Sequence, residues 1–139
     1  MADLTLTAAQ IAPIYPQNAE IFDYLAAESI TKGQAVYFTA AGKVGVADAN
    51  AAGKQQFRGI ALNTAGAGQA VSVLQRGHVY GFAVSSLNAD AYAYLSDTVG
   101  ALADAAGTLT VRAGRVVALP DSAGTKALYI DVKWIDTWA

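Results

Sequence analysis

The sequence predicts an all-β fold: a small β-sandwich or barrel-like domain built from two similar β units, with an extended N-terminal arm. Three observations carry this. First, the chain repeats itself. Arg58-Gly59-Ile60-Ala61-Leu62, a small polar turn and Gln69-Ala70-Val71-Ser72-Val73 reappear as Arg115-Val116-Val117-Ala118-Leu119, a turn and Lys126-Ala127-Leu128-Tyr129-Ile130. The offset is 115 − 58 = 57 and again 126 − 69 = 57, and Val36-Tyr37-Phe38-Thr39 matches Ala93-Tyr94-Leu95-Ser96 at the same spacing. Two copies are too few for a solenoid, so the pattern reads as a duplicated unit within one domain. Second, Val71-Ser72-Val73 and Leu128 to Val132 alternate or nearly alternate, as half-buried strands do. Third, the links 63–68 and 120–125 hold Gly, Asn, Asp and Ser, the residues that favour tight turns.

The elements follow in order. Residues 1–17 form the arm, where Leu4-Thr5-Leu6-Thr7 alternates and Pro13 and Pro16 bound an apolar stretch. Proline fixes φ and removes a donor, so this stretch is extended. Its apolar side chains need a surface, either a partner's or the domain's own. Residues 18–139 form the single β domain, with the internal repeat at about 35–74 and 92–131. Residues 18–29 fit a helix capped by Asn18, with Ile21, Tyr24, Leu25 and Glu28 at helical spacing, or equally a strand. Ala35 to Thr39 is rich in β-branched and aromatic residues. Residues 47–55 and 97–114 read as loops, and Gly77 and Gly81 around His78-Val79-Tyr80 suggest a bulge or a close backbone approach. Trp134 and Trp138 near the end imply a tail that is tied down.

A chain of 139 residues is one domain by length. Cysteine is absent and the net charge is −2, which offers no disulfide, no thiolate metal site and no footprint for nucleic acid. Charged residues make up 14% of the chain, well below the roughly 25% of ordinary soluble domains. Depletion of charge is a mark of interface cores, so neighbours are expected to cover part of the surface. The apolar runs are too short to span a membrane. The first residues lack a basic segment followed by an apolar one, so export by a cleaved signal is not expected.

No catalytic constellation emerges, and neither enzyme activity, a metal nor a cofactor is expected. His78 is the sole histidine. A triad drawn from Ser85 or Ser86, His78 and Asp90 lacks a nucleophile elbow. Gly66-Ala67-Gly68 lacks the Lys and Ser/Thr of a phosphate loop. Tyr92 and Tyr94 share a strand face and could stack on a sugar, though such spacing more often marks a core or an interface.

Ala26-Ala27-Glu28-Ser29-Ile30-Thr31-Lys32-Gly33-Gln34-Ala35-Val36-Tyr37 resembles the "x-I-x-x-G-Q-x-V-Y" start of tailed-phage capsid cement (head decoration) proteins. Gly59 to Val73 is similar to their "G-I-A-L-N … G-x-x-V-x-V" element, and Gly114 to Val132 echoes it. The resemblance covers about residues 26–132. It implies a small β-rich domain, often a homotrimer, made in the host cytoplasm and seated on the capsid exterior, where it clamps the major capsid protein. The alternative is a carbohydrate- or receptor-binding β module of a phage tail or fibre, suggested by Tyr80, Tyr92 and Tyr94. The terminal segments are the expected partner-binding elements, through Leu4, Leu6, Ile11, Ile14 and Tyr15 on the arm and Trp134 and Trp138 on the tail.

Overall fold

The computed structural model describes residues 2–132, 134, 137 and 138. It is an all-β, barrel-like domain in which one antiparallel sheet curls into a half-barrel. Among the described residues ten strands follow in order: β1 (Ala12–Pro13), β2 (Glu20–Leu25), β3 (Ala35–Phe38), β4 (Val44–Val46), β5 (Gly59–Ala61), β6 (Ala70–Tyr80), β7 (Tyr92–Leu95), β8 (Leu102–Ala103), β9 (Arg112–Ala118) and β10 (Lys126–Asp131). Two short 3-10 turns, Ala8–Gln10 and Pro16–Asn18, flank β1.

The sheet order is β4-β3-β5-β6-β10-β9-β7-β8, with β1 and β2 added to β6. This order is a palindrome under the 57-residue offset. Residues 35–38 plus 57 give 92–95, which turns β3 into β7; the same step takes β4 to β8, β5 into β9 and β6 into β10. The midpoint is Gln75 and Val132 (75 + 57 = 132), where the Val132 N–H donates to the Gln75 carbonyl at 3.0 Å. The hairpin registers are not identical. Ala61 pairs with Val73 in the first unit, whereas Ala118 pairs with Lys126 in the second. Under the offset the first pairing sums to 61 + 73 + 114 = 248 and the second to 118 + 126 = 244, a slide that leaves the second unit with the shorter turn.

Long β6 is the hub, pairing with β1, β2, β5 and β10. Its burial alternates at both ends but runs unbroken through Val73-Leu74-Gln75. That break in alternation lets it feed two apolar clusters. Val71 and Val73 join Ile30, Val36, Val44 and Val46, while Leu74 and Val79 join Phe57, Ile60, Leu95, Leu102, Leu128 and Ile130. Each such side chain contributes roughly 1.5–3 kcal/mol on burial. Gln75 is buried in the seam, and its amide donates to the Tyr24 hydroxyl at 2.8 Å, so its polar end is not left unpaired.

Residues 20–25, which fitted helix or strand, are strand β2, running antiparallel to β6 from Ile21 opposite Leu74 to Leu25 opposite Ala70. Pairing with the hub settled what local periodicity left open. Of the two surfaces the sequence left open to the arm, a partner's or the domain's own, it lies on its own sheet. The Leu4 N–H donates to Leu102, Thr7 to Gly81 and Ile14 to His78, and Thr5 accepts from Ala83. Asp3 receives the hydroxyl of buried Ser96. Ile11 is only 2% exposed, within the larger core cluster, so its side chain is spent inside the domain and cannot serve a partner. The physical reason is the sheet's own unpaired backbone at β6 and β8, which an apolar extended segment satisfies more readily than a distant surface does.

Candidate functional site

Register brings a row of polar and aromatic side chains across the sheet. His78 on β6 stands opposite Tyr129 on β10, Tyr129 opposite Arg115 on β9, and Arg115 opposite Tyr92 on β7. Tyr15 extends the row beyond His78. Its ring meets the imidazole edge-on at 5.1 Å, and the imidazole meets Tyr129 at 5.0 Å. All five residues are half-buried.

The row ends in a cleft of about 220 Å³ lined by Tyr92, Arg112, Gly114, Arg115, Tyr129 and Asp131. The Arg115 guanidinium lies 3.9 Å from the centre of the Tyr92 ring and that of Arg112 lies 4.7 Å from it. Arg115 also donates to the Tyr92 hydroxyl at 2.6 Å and to the Asp90 carbonyl at 2.7 Å, and it pairs with the Asp90 carboxylate at 3.2 Å. Asp90 adopts φ 72°, a conformation that Asp tolerates better than most residues. Asp131 is held by Arg76 Nε at 3.0 Å, and Arg76 also meets Glu20 at 3.5 Å. The Asp131 hydrogen bond, with the nearby carboxylates, raises the Arg76 pKa above its ordinary value. Gly114 lines the cleft, and a side chain there would run into the Tyr129 backbone, so the close approach of β9 to β10 at this point admits only glycine.

A second surface lies around Trp134. Tyr24 packs on Phe38 at 4.9 Å, Phe38 stacks on Trp134 at 5.7 Å, and Arg58 lies 5.5 Å from the Trp134 ring. Burial lowers the Arg58 pKa. Phe22, two residues before Tyr24 on β2, is 56% exposed, and Trp134 is 42% exposed. The two surfaces are counterparts. Arg58 plus 57 is Arg115, and each guanidinium sits over an aromatic ring.

The residues expected to bind a partner do not converge. Leu4 and Leu6 are half-buried against the core, Ile11 is inside it, and Ile14 is half-buried beside His78. Tyr15 joins the cross-strand row. Trp138 is tied to the 55–56 loop, its N–H donating to Gln56 at 2.9 Å and its carbonyl accepting from Gln56 at 2.6 Å. Of the seven, Trp134 alone is largely exposed. Arg112, Arg115 and Tyr129 were missed. Their signal was Arg112-Ala113-Gly114-Arg115 following a Tyr92/Tyr94 strand, which becomes legible only once β7 and β9 are paired. Asp90 is engaged by Arg115, while His78 is flanked by tyrosine rings, so the paper triad is not assembled. Among the described residues no three His, Asp or Glu side chains are grouped to hold a metal ion, and no helix is long and apolar enough to cross a membrane.

These features define an antiparallel β domain that carries an arginine–tyrosine cleft and, around Trp134, an aromatic row. Searches of protein-family models, curated proteins and solved structures returned no match to this chain.

Proposed function

We propose that this protein is a structural virion component that binds the outside of a bacteriophage capsid and stabilises the major capsid protein lattice, acting as a homotrimer on that surface. The resemblance over residues 26–132 motivates the reading. The observation that best supports it is the aromatic row of Tyr24, Phe38 and Trp134 beside Arg58, half-buried at Tyr24 and Phe38 and exposed at Trp134, with exposed Phe22 two residues before Tyr24 on the same strand. Aromatic residues and arginine are the types enriched where proteins meet, and a chain with 14% charged residues has little else to solvate such a row. With the arm docked at home, the row takes over the contact role expected of the arm. Repetition over a lattice then adds avidity without further contacts.

Co-sedimentation with expanded and unexpanded capsids of the cognate phage tests the reading. The parent protein pellets with capsids, and Phe22→Ser combined with Trp134→Ala abolishes pelleting while leaving the melting temperature nearly unchanged. Failure of the parent to pellet with either form sinks the proposal. A sugar-specific signal on a glycan array that is lost in Tyr92→Ala would favour the carbohydrate-binding alternative instead.

A further inference from the structure

The two ends of the sheet are covered, and the outer edge of β2 is not. At β4 the Val44 carbonyl accepts from the Ala27 N–H at 2.7 Å, and the Val46 N–H donates to the Glu28 carboxylate at 3.1 Å. At β8 the Leu102 carbonyl accepts from the Leu4 N–H at 2.8 Å, and the Asp104 N–H donates to the Ala2 carbonyl at 3.0 Å. β2 pairs with β6 alone. The alternation of an antiparallel ladder fixes which of its backbone groups face away from β6. The Ser72 carbonyl accepts from the Leu62 N–H at 2.8 Å, and the Ser72 N–H donates to the Asn63 side chain at 2.7 Å, both in the segment that follows β5. Ser72 stands opposite Asp23, so Asp23 makes no ladder bond to β6 and turns its N–H and carbonyl outward. The period of two gives Ile21 and Leu25 the same direction. The outward backbone groups of these three residues meet no partner among the described residues.

We infer that the outer edge of β2 receives an extended strand of a partner protein, with a lysine or arginine of that strand facing Asp23. The inference rests on the capsid-binding reading for which protein supplies the strand, and on β2 alone for its chemistry. An open strand edge accepts an added strand, whose main-chain hydrogen bonds give affinity and whose alternate side chains give specificity. Phe22 and Leu25 are 56% and 49% exposed beside this edge, so the added strand also has apolar surface to cover. Phe22 and Tyr24 share one face of β2, and the two residues that flank the cation lie over them, next to Phe38. Charge selects the occupant. The Asp23 carboxylate accepts from the Ser72 hydroxyl at 2.6 Å and has no cationic partner among the described residues. A second copy, pairing antiparallel through all three outward residues, would set Ile21 against Leu25 and Asp23 against Asp23. Like charges directly opposite are destabilising, and a charged side chain on an edge guards against such self-pairing. A cation at that position reverses the sign of the contact.

The test follows amide hydrogen exchange in the full chain, in two arms. In the first, read by NMR, the Ile21, Asp23 and Leu25 amides of the parent protein alone are expected to exchange fast, and those of Phe22 and Tyr24 slowly. Titration with the blocked peptide acetyl-Val-Tyr-Lys-Tyr-Val-amide is expected to protect the three fast amides. Its Glu counterpart is expected to bind roughly threefold or more weakly, with the preference reversed in Asp23→Lys. N-methylation of the peptide's central residue is expected to abolish binding, because it removes a main-chain donor. No protection by the Lys peptide, equal binding of the Lys and Glu peptides, or undiminished binding of the N-methyl peptide each overturns the inference. Protection of the three amides in the parent alone, whether constant or rising with its concentration, assigns the edge to the chain itself or to a second copy and overturns it too. In the second arm, exchange over residues 20–25 is measured by mass spectrometry on capsid-bound protein, where it is expected to slow. If the parent pellets with capsids and this segment stays fast, the inference fails while the capsid reading stands. If the parent ignores capsids yet the Lys peptide protects the three amides, the strand-accepting edge stands and the capsid reading fails.

Discussion

Gly114 separates sterics from backbone preference, and Gly114→Ala should be among the most damaging single-methyl additions in the chain. It stands opposite Ile130 of β10 and Ala93 of β7. A Cβ there would overlap the Tyr129 carbonyl oxygen and lie 2.9 Å from its carbonyl carbon and 3.1 Å from Ile130 Cα. All three atoms are backbone, so no side-chain rotation relieves the clash, and β9 must lift away from β10. Overpacking ordinarily costs about 1–3 kcal/mol. Loss or stretching of the neighbouring ladder hydrogen bonds adds about 1 kcal/mol each. The expected total is roughly 3–5 kcal/mol, a large share of a typical domain's stability. Gly42→Ala is the control, because Gly42 has φ +86° with nothing within 4 Å of an added Cβ. It should lose only about 1–2 kcal/mol, from the left-handed backbone. Urea unfolding of both variants measures the difference. A loss below about 1 kcal/mol for Gly114→Ala, or a loss no larger than that of Gly42→Ala, refutes the steric account.

Three further outcomes are expected. Ile11→Ala should destabilise by about 2–5 kcal/mol in denaturant unfolding, as a core residue does and a free arm residue does not. Arg76→Gln should cost no more than about 1 kcal/mol, and less at high salt, because its pairs with Glu20 and Asp131 are exposed to solvent. Asp121, whose carboxyl is held below the usual range by hydrogen bonds from Thr125, should support the 119–125 turn above the unfolded carboxylate pKa. That support should fade as pH falls through the depressed folded value, and Asp121→Asn should remove the pH dependence of exchange at the Thr125 amide.

The strand segments were legible because they rest on local features: alternation, turn residues and an internal offset. Val71 to Val73 and Leu128 to Ile130 needed no partner to be recognised. The arrangement of those strands was another matter. Nothing local says that β6 pairs with four others, or that β2 is strand rather than helix, since Ile21, Tyr24 and Leu25 suit either until Leu74 and Val71 stand across from them. The arm was read as extended; it contains two 3-10 turns, Ala8–Gln10 and Pro16–Asn18, and which surface its apolar residues meet is a tertiary fact, decided by unpaired backbone at β6 and β8. The cleft was invisible for the same reason. Arg112 and Arg115 look like solvent-facing charges until register sets them over Tyr92.

The palindromic strand order has a consequence for how the molecule can be seated. A homodimer of identical half-chains must display the same surface twice and can be docked either way up. Here the halves are fused and have diverged. Tyr92, Arg112 and Gly114 correspond under the offset to Ala35, Gln55 and Phe57, and only the Arg58 and Arg115 pair is shared. Phe57 buries a whole ring at the position where Gly114 admits no side chain. The two halves thus carry unlike surfaces, one aromatic around Trp134 and one a cleft lined by Tyr92 and two arginines, and a surface that engages both accepts a single orientation and rejects the inverted one.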